Sequence, residues 1–403
     1  MTSEILSAGR LALTRESVEA LSRRRHEPEW LLGLRLQAFE AFERLPMPDQ
    51  RTEGWRRTSL RGLDLGRVDP LAGSVRVAIS GDTRGVALPL EEALDRPELA
   101  GRVERSFGQV VAPDSDKFTA LHYAFFNAGV AIVVPRGTAL DEPIWIRYAA
   151  DGPALLHTLL IVDDQADLPA LVEDHSGARD FASGVVEQVL GGNAHTRYVH
   201  LQRWAPSVWS FSWQRARLGQ DASLRTLNAA VGATLARNTV QVVLQGRGAQ
   251  ADLLGVVGLR DRQHADFQTL QDHYGDATRS DLVIHDALRD RASANFTGLI
   301  RINKSARQTE SSQEQKNILL SDRAKADSDP KLEILNNDVI RCTHGAAVGP
   351  VDEEMVFYLQ SRGLDRATAE QLIVEGFFQS TLGKLDCPAV EAAVWDVINN
   401  EAR

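Results

Sequence analysis

The sequence contains little cysteine, few aromatic residues and no long apolar run. Among its 403 residues the only cysteines are Cys342 and Cys387, which excludes a disulfide framework and is typical of a reducing compartment. The most apolar stretches, 240–244 and 253–259, are far shorter than the ~20 residues that cross a bilayer. The amino-terminal residues also lack the pattern of a secretion signal. We therefore expect a cytoplasmic protein that is not integrated into a membrane.

An excess of positive charge is also absent. The chain has 45 Lys and Arg against 55 Asp and Glu, a formal net charge of −10, and its longest basic run is 23–25. Such a chain repels a polyanion, which argues against nucleic acid as a partner. The hydrophobic share of 43% and the charged share of 25% are ordinary globular values, so wholesale disorder is excluded.

The first hundred or so residues predict helices joined by connectors. Thr14 can cap a helix that continues through Arg25, and apolar residues at helical spacing predict a second helix that ends before Pro46. Alternating valine and isoleucine at 75–79 predict a short strand, and 90–107 predict one amphipathic helix.

From about residue 118 to 349 the sequence is a series of short apolar runs broken by turn residues. Only 168–175 has helical spacing, and an all-β region this long exceeds an ordinary sandwich, which leaves a barrel, a propeller or a solenoid. Small residues recur at steps of 12 to 15, at Ala251, Ala265, Ala277, Ala292 and Ala306, which suits the corners of stacked coils. The pattern predicts a mainly β protein built on a right-handed parallel β-helix.

After residue 349 helical spacing returns. A short helix carrying Met355 and Tyr358 ends at Gly363, a second begins near Arg366, and a third opens with Pro388. Their apolar faces must be covered either by a partner or by the β region. The chain thus divides into an N-terminal helical region with a short strand, a β-helix core and a C-terminal helical domain: 1–115, 116–349 and 350–403.

Common catalytic motifs give weak signals. The segment 246–251 (GRGAQA) matches a loose dinucleotide fingerprint, but glycines and β-branched residues follow it where a helix is required, so we interpret it as a β-turn. A Walker A lysine motif and a Gly-x-Ser-x-Gly elbow are both missing from the sequence.

A second candidate is a cluster of acidic and imidazole side chains. Its histidines are His264 and His273, and its acids are Asp261, Asp266, Asp272 and Asp276. The spacing is not that of a zinc or iron site, and we interpret the cluster as a solvated loop.

The third candidate is the pair Cys342 and His344. In an extended chain residues two apart face the same side, so a thiol and an imidazole project together, and both groups suit iron or zinc. Two ligands do not complete a tetrahedral site, so a tightly bound metal there needs ligands from another chain or from a transient complex. A core cysteine and a hydrogen-bonded histidine remain the alternative.

The sequence around this pair resembles the SufB/SufD family of iron-sulfur cluster assembly proteins. The matching segments, in order, are Gln308-Thr309, 317–321 (NILLS), 326–334 (ADSDPKLEI), Asp338-Val339, 342–346 (CTHGA), Val348-Gly349 and 357–363 (FYLQSRG). Weaker similarity extends over the rest of the chain, including 53–58 (EGWRRT), which is similar to the SufD branch.

The resemblance implies a parallel β-helix and a heterodimer with a SufB-like paralogue. It also implies that a SufC-like ABC ATPase binds the C-terminal helices, where we place its contacts at Tyr358, Arg362, Gly363, Leu372, Phe377 and Phe378. A nascent iron-sulfur cluster, or iron, would be held transiently between the two subunits, with His344 as a ligand and Cys342 a weaker candidate. The isolated chain would bind no cofactor stably, and docking of a reduced flavin in the complex stays open.

The branch assignment depends on cysteine and on length. SufB carries a sulfur-accepting cysteine within its β-helix, whereas this chain has no cysteine before Cys342 and, at 403 residues, is shorter than is usual for SufB. Both features favour SufD.

We therefore expect a non-catalytic scaffold subunit of a SufBCD-type complex, with ATP hydrolysis in SufC. One alternative is a β-helix enzyme acting on polysaccharide, with carboxylates such as Asp261, Asp266, Asp272 and Asp281 on one face. The other is a homodimeric interaction module, because an unpartnered chain could cover its open end with a second copy.

Overall fold

The computed structural model describes residues 13–84 and 87–401. The helices are α1 (Arg15–Arg24), α2 (Glu29–Arg44), α3 (Leu90–Leu94), α4 (Pro97–Ser106), α5 (Lys117–Phe125), α6 (Glu353–Ser361), α7 (Arg366–Leu382) and α8 (Pro388–Glu401). The strands are β1 (Val75–Gly81), β2 (Ala87–Pro89), β3 (Ala128–Val134), β4 (Ile144–Ala150), β5 (Ala154–Val162), β6 (Asp167–Ser176), β7 (Phe181–Leu190), β8 (His195–Trp204), β9 (Trp209–Leu218), β10 (Ser223–Gly232), β11 (Leu235–Leu244), β12 (Gln250–Leu259), β13 (His264–His273), β14 (Arg279–Leu288), β15 (Ser293–Ile302), β16 (Thr309–Leu319), β17 (Lys325–Ile334) and β18 (Val339–Pro350).

The strands form two nine-stranded sheets that face each other across a lumen. The first sheet, sheet A, has the order β1-β4-β6-β8-β10-β12-β14-β16-β18, and the second, sheet B, runs from β17 through the odd-numbered strands to β3 and β2. All pairs from β3 to β18 are parallel, and the chain alternates between the sheets, so it winds as a β-solenoid of about eight turns. This confirms the predicted parallel β-helix with helices at both ends of the chain.

The core is arranged in layers. Inward-facing side chains such as Val130, Leu156 and Leu224 form one hydrophobic cluster in the lumen. On the outer face of sheet B, Phe118 of α5 stacks on Phe211 with ring centroids 3.9 Å apart. On the outer face of sheet A, α7 and α8 pack in a separate cluster. Helices therefore cover the outside of both sheets and leave the solenoid ends to be covered otherwise.

The corners between strands explain part of the alanine pattern. Ala292 and Ala306 are fully buried at corners, one and three residues before the next strand, as predicted. Ala277 is exposed in a turn with a φ of 53°, and Ala251 and Ala265 lie inside strands. Several other corners use an aspartate or asparagine in the left-handed conformation, which these residues tolerate better than most: Asn193, Asp221, Asp261 and Asp290.

Two secondary-structure predictions were wrong. Residues 168–175 form strand β6 and no helix, because the register shifts between Leu168 and Leu171 and this irregularity imitates helical spacing. Leu168 and Leu171 both face the lumen. Residues 90–107 form two helices, since Pro97 begins a new helix at its first position. The segment 246–251 is a turn that leads into strand β12, as interpreted.

The two ends of the solenoid differ. The first coil is covered by β1 and β2, which pair antiparallel with β4 and β3. Among the described residues, the final strands β17 and β18 each pair with one neighbour and leave the other edge free. In the same ranges, no helix is long and apolar enough to span a membrane. An unpaired edge pairs readily with another chain, so this open end is the first place to look for a site.

Candidate functional site

His344 lies on the last strand of sheet A, β18, with its side chain on the lumenal face. The register pairs His344 with Gln313 and Cys342 with Ser311 of β16, and both β16 residues are buried. Because in-register neighbours share a face of the sheet, Cys342 and His344 point into the lumen at its open end. The sequence prediction that the two project together is consistent with this placement.

The imidazole of His344 is free to take a ligand. The residue is exposed, and within the described ranges no hydrogen bond or ion pair engages its side chain. A neutral imidazole can bind iron through either ring nitrogen. No group of three or more ligating side chains gathers in the described part of the chain, so completing a site here requires groups from outside it.

Cys342 is less suited to bind a metal than His344. It is half-buried and packs beside Ile300, Ile302 and Ala306 from the opposite wall of the lumen. Burial raises the pKa of the Cys342 thiol. Since the thiolate is the ligand form of cysteine, a raised pKa weakens Cys342 as a ligand at neutral pH.

The lumen below the pair is polar. The Nε2 group of Gln315 donates to Asp286 at 2.7 Å, and Asn317 donates to the Oε1 atom of Gln315 at 2.6 Å. Burial raises the pKa of Asp286 to about 7. Gln313, directly under His344, has no hydrogen-bond partner for either atom of its carboxamide. On the side of β16 the open end is therefore lined by hydrogen-bonding groups, beside the small apolar cluster that contacts Cys342.

Sequence reasoning missed this polar lining. The signal was the alternation on β16, where every second residue is polar at a position that faces inward: Ser311, Gln313, Gln315 and Asn317. The inward-facing positions of a buried strand, every second residue, are normally apolar. Polar residues at all of these positions therefore predict a functional or hydrated interior.

The second sequence candidate, around His264 and His273, is not a solvated loop. Both histidines lie on β13, Asp266 and Asp272 are buried, and each of these carboxylates is paired with an arginine. Asp281, proposed for a polysaccharide site, is paired with Arg279. Asp266, Asp272 and Asp281 are therefore held in ion pairs with arginines, whereas Asp261 and Asp276 lie in exposed turns. Three of the four carboxylates of the carbohydrate alternative are thus engaged within the fold.

The buried histidines give stability a pH dependence. Burial lowers the pKa of His273 to about 4, against a small opposing effect of Asp272. Burial also lowers the pKa values of His122 and His200 well below the ordinary value. At these histidines the unfolded chain therefore binds more protons between pH 6.5 and 4, so they lower the free energy of unfolding as the pH drops through that window, whereas Asp286, with its raised pKa, acts in the opposite direction. His273 alone should account for about 3 kcal/mol of this loss.

Urea unfolding of the wild type and His273→Gln at several pH values between 7 and 4.5 tests this effect. The substitution also removes hydrogen bonds to Thr278 and Ser280 at 2.8 Å each, so the slope of stability with pH is the informative quantity. We expect a shallower slope in the variant. Equal slopes would contradict a buried neutral His273.

The C-terminal helices expose an aromatic surface, which we call the helical patch and define as Met355, Phe357, Tyr358 and Leu372. Their exposed fractions are 49%, 72%, 56% and 43%. The guanidinium carbon of Arg362 lies 5.2 Å from the ring centroid of Tyr358, and Gly363 follows the end of α6 with a φ of 95°. Sequence reasoning missed Phe357, the most exposed member, although it adjoins Tyr358.

Two predicted partner contacts have another environment. Phe378 is 1% exposed and packs in the cluster between α7, α8 and sheet A. Phe377 is half-buried and stacks on His285 of β14 with ring centroids 4.2 Å apart. Thr381 lies 2.8 Å from the same imidazole. These aromatic rings pack α7 against the solenoid. The β region therefore covers part of the apolar surface of the C-terminal helices, which is one of the two alternatives expected from the sequence.

Comparison with known proteins agrees with this architecture. Residues 146–377 match the family model described as "SUF system FeS cluster assembly, SufBD core domain". A SufBD family iron-sulfur cluster assembly protein of Mycobacterium tuberculosis is 29% identical over 376 residues, 90% of each chain. SufD of Bacillus subtilis is 26% identical over 98% of this chain and 99% of its own length. SufB of the same organism is 26% identical over 91% and 88%. The chain belongs to the SufBD family of iron-sulfur cluster assembly proteins.

Proposed function

We propose that the chain is a SufD-like scaffold subunit of a SufBCD-type complex, in which iron enters and a nascent cluster forms at the contact with a SufB-like partner. The observation that carries the proposal is the free imidazole of His344 on the unpaired edge strand β18. A paralogue docked on this edge would both cover it and supply the missing ligands. The cluster is cargo here, held by the two subunits together and passed on.

The assignment to the SufD branch depends on cysteine content. SufD and SufB of B. subtilis are equally similar to this chain, at 26% identity, so identity does not separate the branches. Within the β-solenoid no cysteine precedes Cys342. Since Cys342 is the first cysteine of the solenoid and burial raises the pKa of its thiol, we assign the acceptance of sulfur to the partner.

The division of labour follows the three proposed regions. Among the described residues before 116, helices cover the outer face of sheet B, and β1 and β2 pair with the first coil. Residues 116–349 build the solenoid and its open end, and 350–403 bind an ABC-type ATPase through the helical patch. ATP hydrolysis takes place in that partner, so this subunit works as a scaffold. We place the complex in the cytoplasm, and an isolated chain could pair with itself through the same open edge.

Affinity purification of the chain from its own cells under anaerobic conditions, with the co-purifying proteins identified by mass spectrometry, tests the proposal. We expect a SufB-like protein and a SufC-like ATPase. Tyr358→Asp together with Phe357→Asp should remove the ATPase and leave the SufB-like protein bound, because a charge in the helical patch prevents its burial against a partner.

Tyr274→Asp is the matched control, since Tyr274 is 44% exposed on the solenoid and outside the helical patch. It should lose neither partner. Recovery of neither protein with the wild type would overturn the proposal, and equal recovery of the ATPase with the double variant would remove the helical patch from it.

A further inference from the structure

Gln313 occupies the lumenal position directly beneath His344. The two residues are register partners on β16 and β18, and neighbouring strands are spaced ~4.8 Å apart. Gln313 is 3% exposed, whereas His344 is exposed. The carboxamide therefore forms the floor under the imidazole, within reach of it by rotation of the side chains.

The carboxamide of Gln313 has unused hydrogen-bonding capacity. Neither Oε1 nor Nε2 has a partner, although the side chain is buried. Its neighbour Gln315 differs, because its amide is engaged by Asp286 and Asn317 at 2.7 Å each. A buried amide without partners is costly, so a hydrogen-bonding group placed next to it would be stabilised, and at Gln313 the neighbouring position in the register is an imidazole.

The opposite wall is shaped to admit this side chain. Gly298 of β15 faces Gln313, and a Cβ atom added to Gly298 would lie 2.9 Å from Oε1 and 3.0 Å from Nε2 of Gln313. Such distances are too short for unbonded atoms. The added Cβ would lie closer still to Cζ of Phe296, at 2.4 Å, so the glycine leaves room for both the Phe296 ring and the Gln313 carboxamide.

We propose that Gln313 is the positioning residue for His344: its Oε1 atom accepts the N–H of one imidazole nitrogen and directs the other nitrogen toward the iron. The inference rests on the proposed function, which gives His344 its role as a ligand. Metal-binding histidines commonly donate their second ring N–H to an oxygen acceptor, and this bond fixes the tautomer and the ring orientation. Among the described residues near His344, Gln313 offers a buried oxygen without another partner.

The solenoid provides a matched control for the test. Gln202, also on the lumenal face of sheet A, is 1% exposed and also has both carboxamide atoms unpaired. It lies on β8, four strands from β16 in the sheet. Gln313→Met and Gln202→Met therefore remove the same group from equivalent surroundings, and the variants differ in their distance from His344.

The first measurement is anaerobic titration of ferrous iron into the complex purified with its partners. We expect Gln313→Met to weaken binding at least tenfold, in the range typical for loss of such a partner. Gln202→Met should bind like the wild type, and Gln313→Glu, which keeps an acceptor oxygen, should retain binding. Gln313→Leu repeats the test should the methionine variant not fold.

The second measurement is nitrogen NMR of the full chain labelled at histidine, in which His344→Ala identifies the signal of His344. The two ring-nitrogen shifts report which nitrogen carries the proton. We expect Gln313→Met to change that distribution and Gln202→Met to leave it as in the wild type. An unchanged tautomer with Gln313→Met contradicts the proposal.

The two hypotheses fail in different ways. Wild-type iron binding by His344→Ala would refute the proposed function itself. Loss of binding with His344→Ala but equal binding by Gln313→Met and Gln202→Met would keep the function and refute the role of Gln313.

Discussion

Replacing His344 by alanine is expected to abolish cluster formation in the assembled complex and to leave the subunits together. The imidazole is a free ligand at the open end, and the described chain gathers no group of ligating side chains that could replace it. The measurement is anaerobic reconstitution of the purified complex, with iron, sulfide and visible absorption determined per complex. We expect the variant to remain at the background without a cluster.

The substitution should not disturb the scaffold. The side chain of His344 makes no hydrogen bond within the described residues, while the backbone of β18 stays paired with β16 from Val339 to Pro350. Exposed positions without such interactions usually tolerate substitution within about 0.5 kcal/mol. Co-purification of the partners in wild-type amounts therefore separates a missing ligand from a missing subunit.

Two further variants act as controls for the histidine. His195→Ala removes a partly exposed imidazole at the start of β8, distant from the open end, and should leave the cluster intact. Cys342→Ser tests the thiol and should retain most of the cluster, because burial raises the pKa of Cys342 and disfavours its thiolate. A normal cluster content in His344→Ala would contradict our assignment of the site.

The architecture could be predicted because the solenoid repeats one local pattern. Short apolar runs and turn residues recur along 118–349, and the coils share one alternation of inward and outward side chains apart from register shifts at β6 and at the start of β16. The wrong helix prediction at 168–175 arose where a register shift inserted a step of three residues between Leu168 and Leu171. Periodicity cannot separate that step from the spacing of a helix, whereas strand pairing can.

Only the part of the site formed by residues close together in the sequence could be predicted. Cys342 and His344 are two residues apart, so their common face follows from strand geometry. Gln313 lies 31 residues before His344, and finding it requires the register between coils. The coils differ in length, because Ser223 pairs with Gln250, Gln250 with Arg279, and Arg279 with Glu310. A repeat of 27, then 29, then 31 residues cannot be extrapolated from sequence, so contacts across coils were hidden.

The C-terminal helices show the same limit. Their apolar residues lie on more than one side, and sequence alone does not tell which side meets sheet A. The structure turns Phe378 inward, where it is 1% exposed, and leaves Tyr358 56% exposed. Which aromatic ring is buried and which stays exposed is decided by the packing of the C-terminal helices against sheet A.

Replacing Arg237 by methionine is expected to cost about 3–5 kcal/mol of the free energy of unfolding, because it leaves a buried carboxylate without its counter-ion. Arg237 pairs with Asp266, whose side chain is fully buried, and also donates to the carbonyl of Gly54 at 2.9 Å. Its guanidinium lies 3.9 Å from the ring centroid of Trp55, and Thr58 donates to Asp266 at 2.5 Å. The pair thus fastens the amino-terminal segment to sheet B.

Urea unfolding at pH 7 measures the loss, and trypsin provides a local readout, since cleavage after Arg51 and Arg56 should accelerate once the segment is released. Arg279→Met is the matched control: its pair with Asp281 is on the surface, with Arg279 53% exposed, and should cost at most about 1 kcal/mol. Adding Asp266→Asn to Arg237→Met should restore part of the stability, because the amide carries no charge and can still accept from Thr58. A double variant no more stable than Arg237→Met would show that lost packing on Trp55, and not the buried charge, sets the cost.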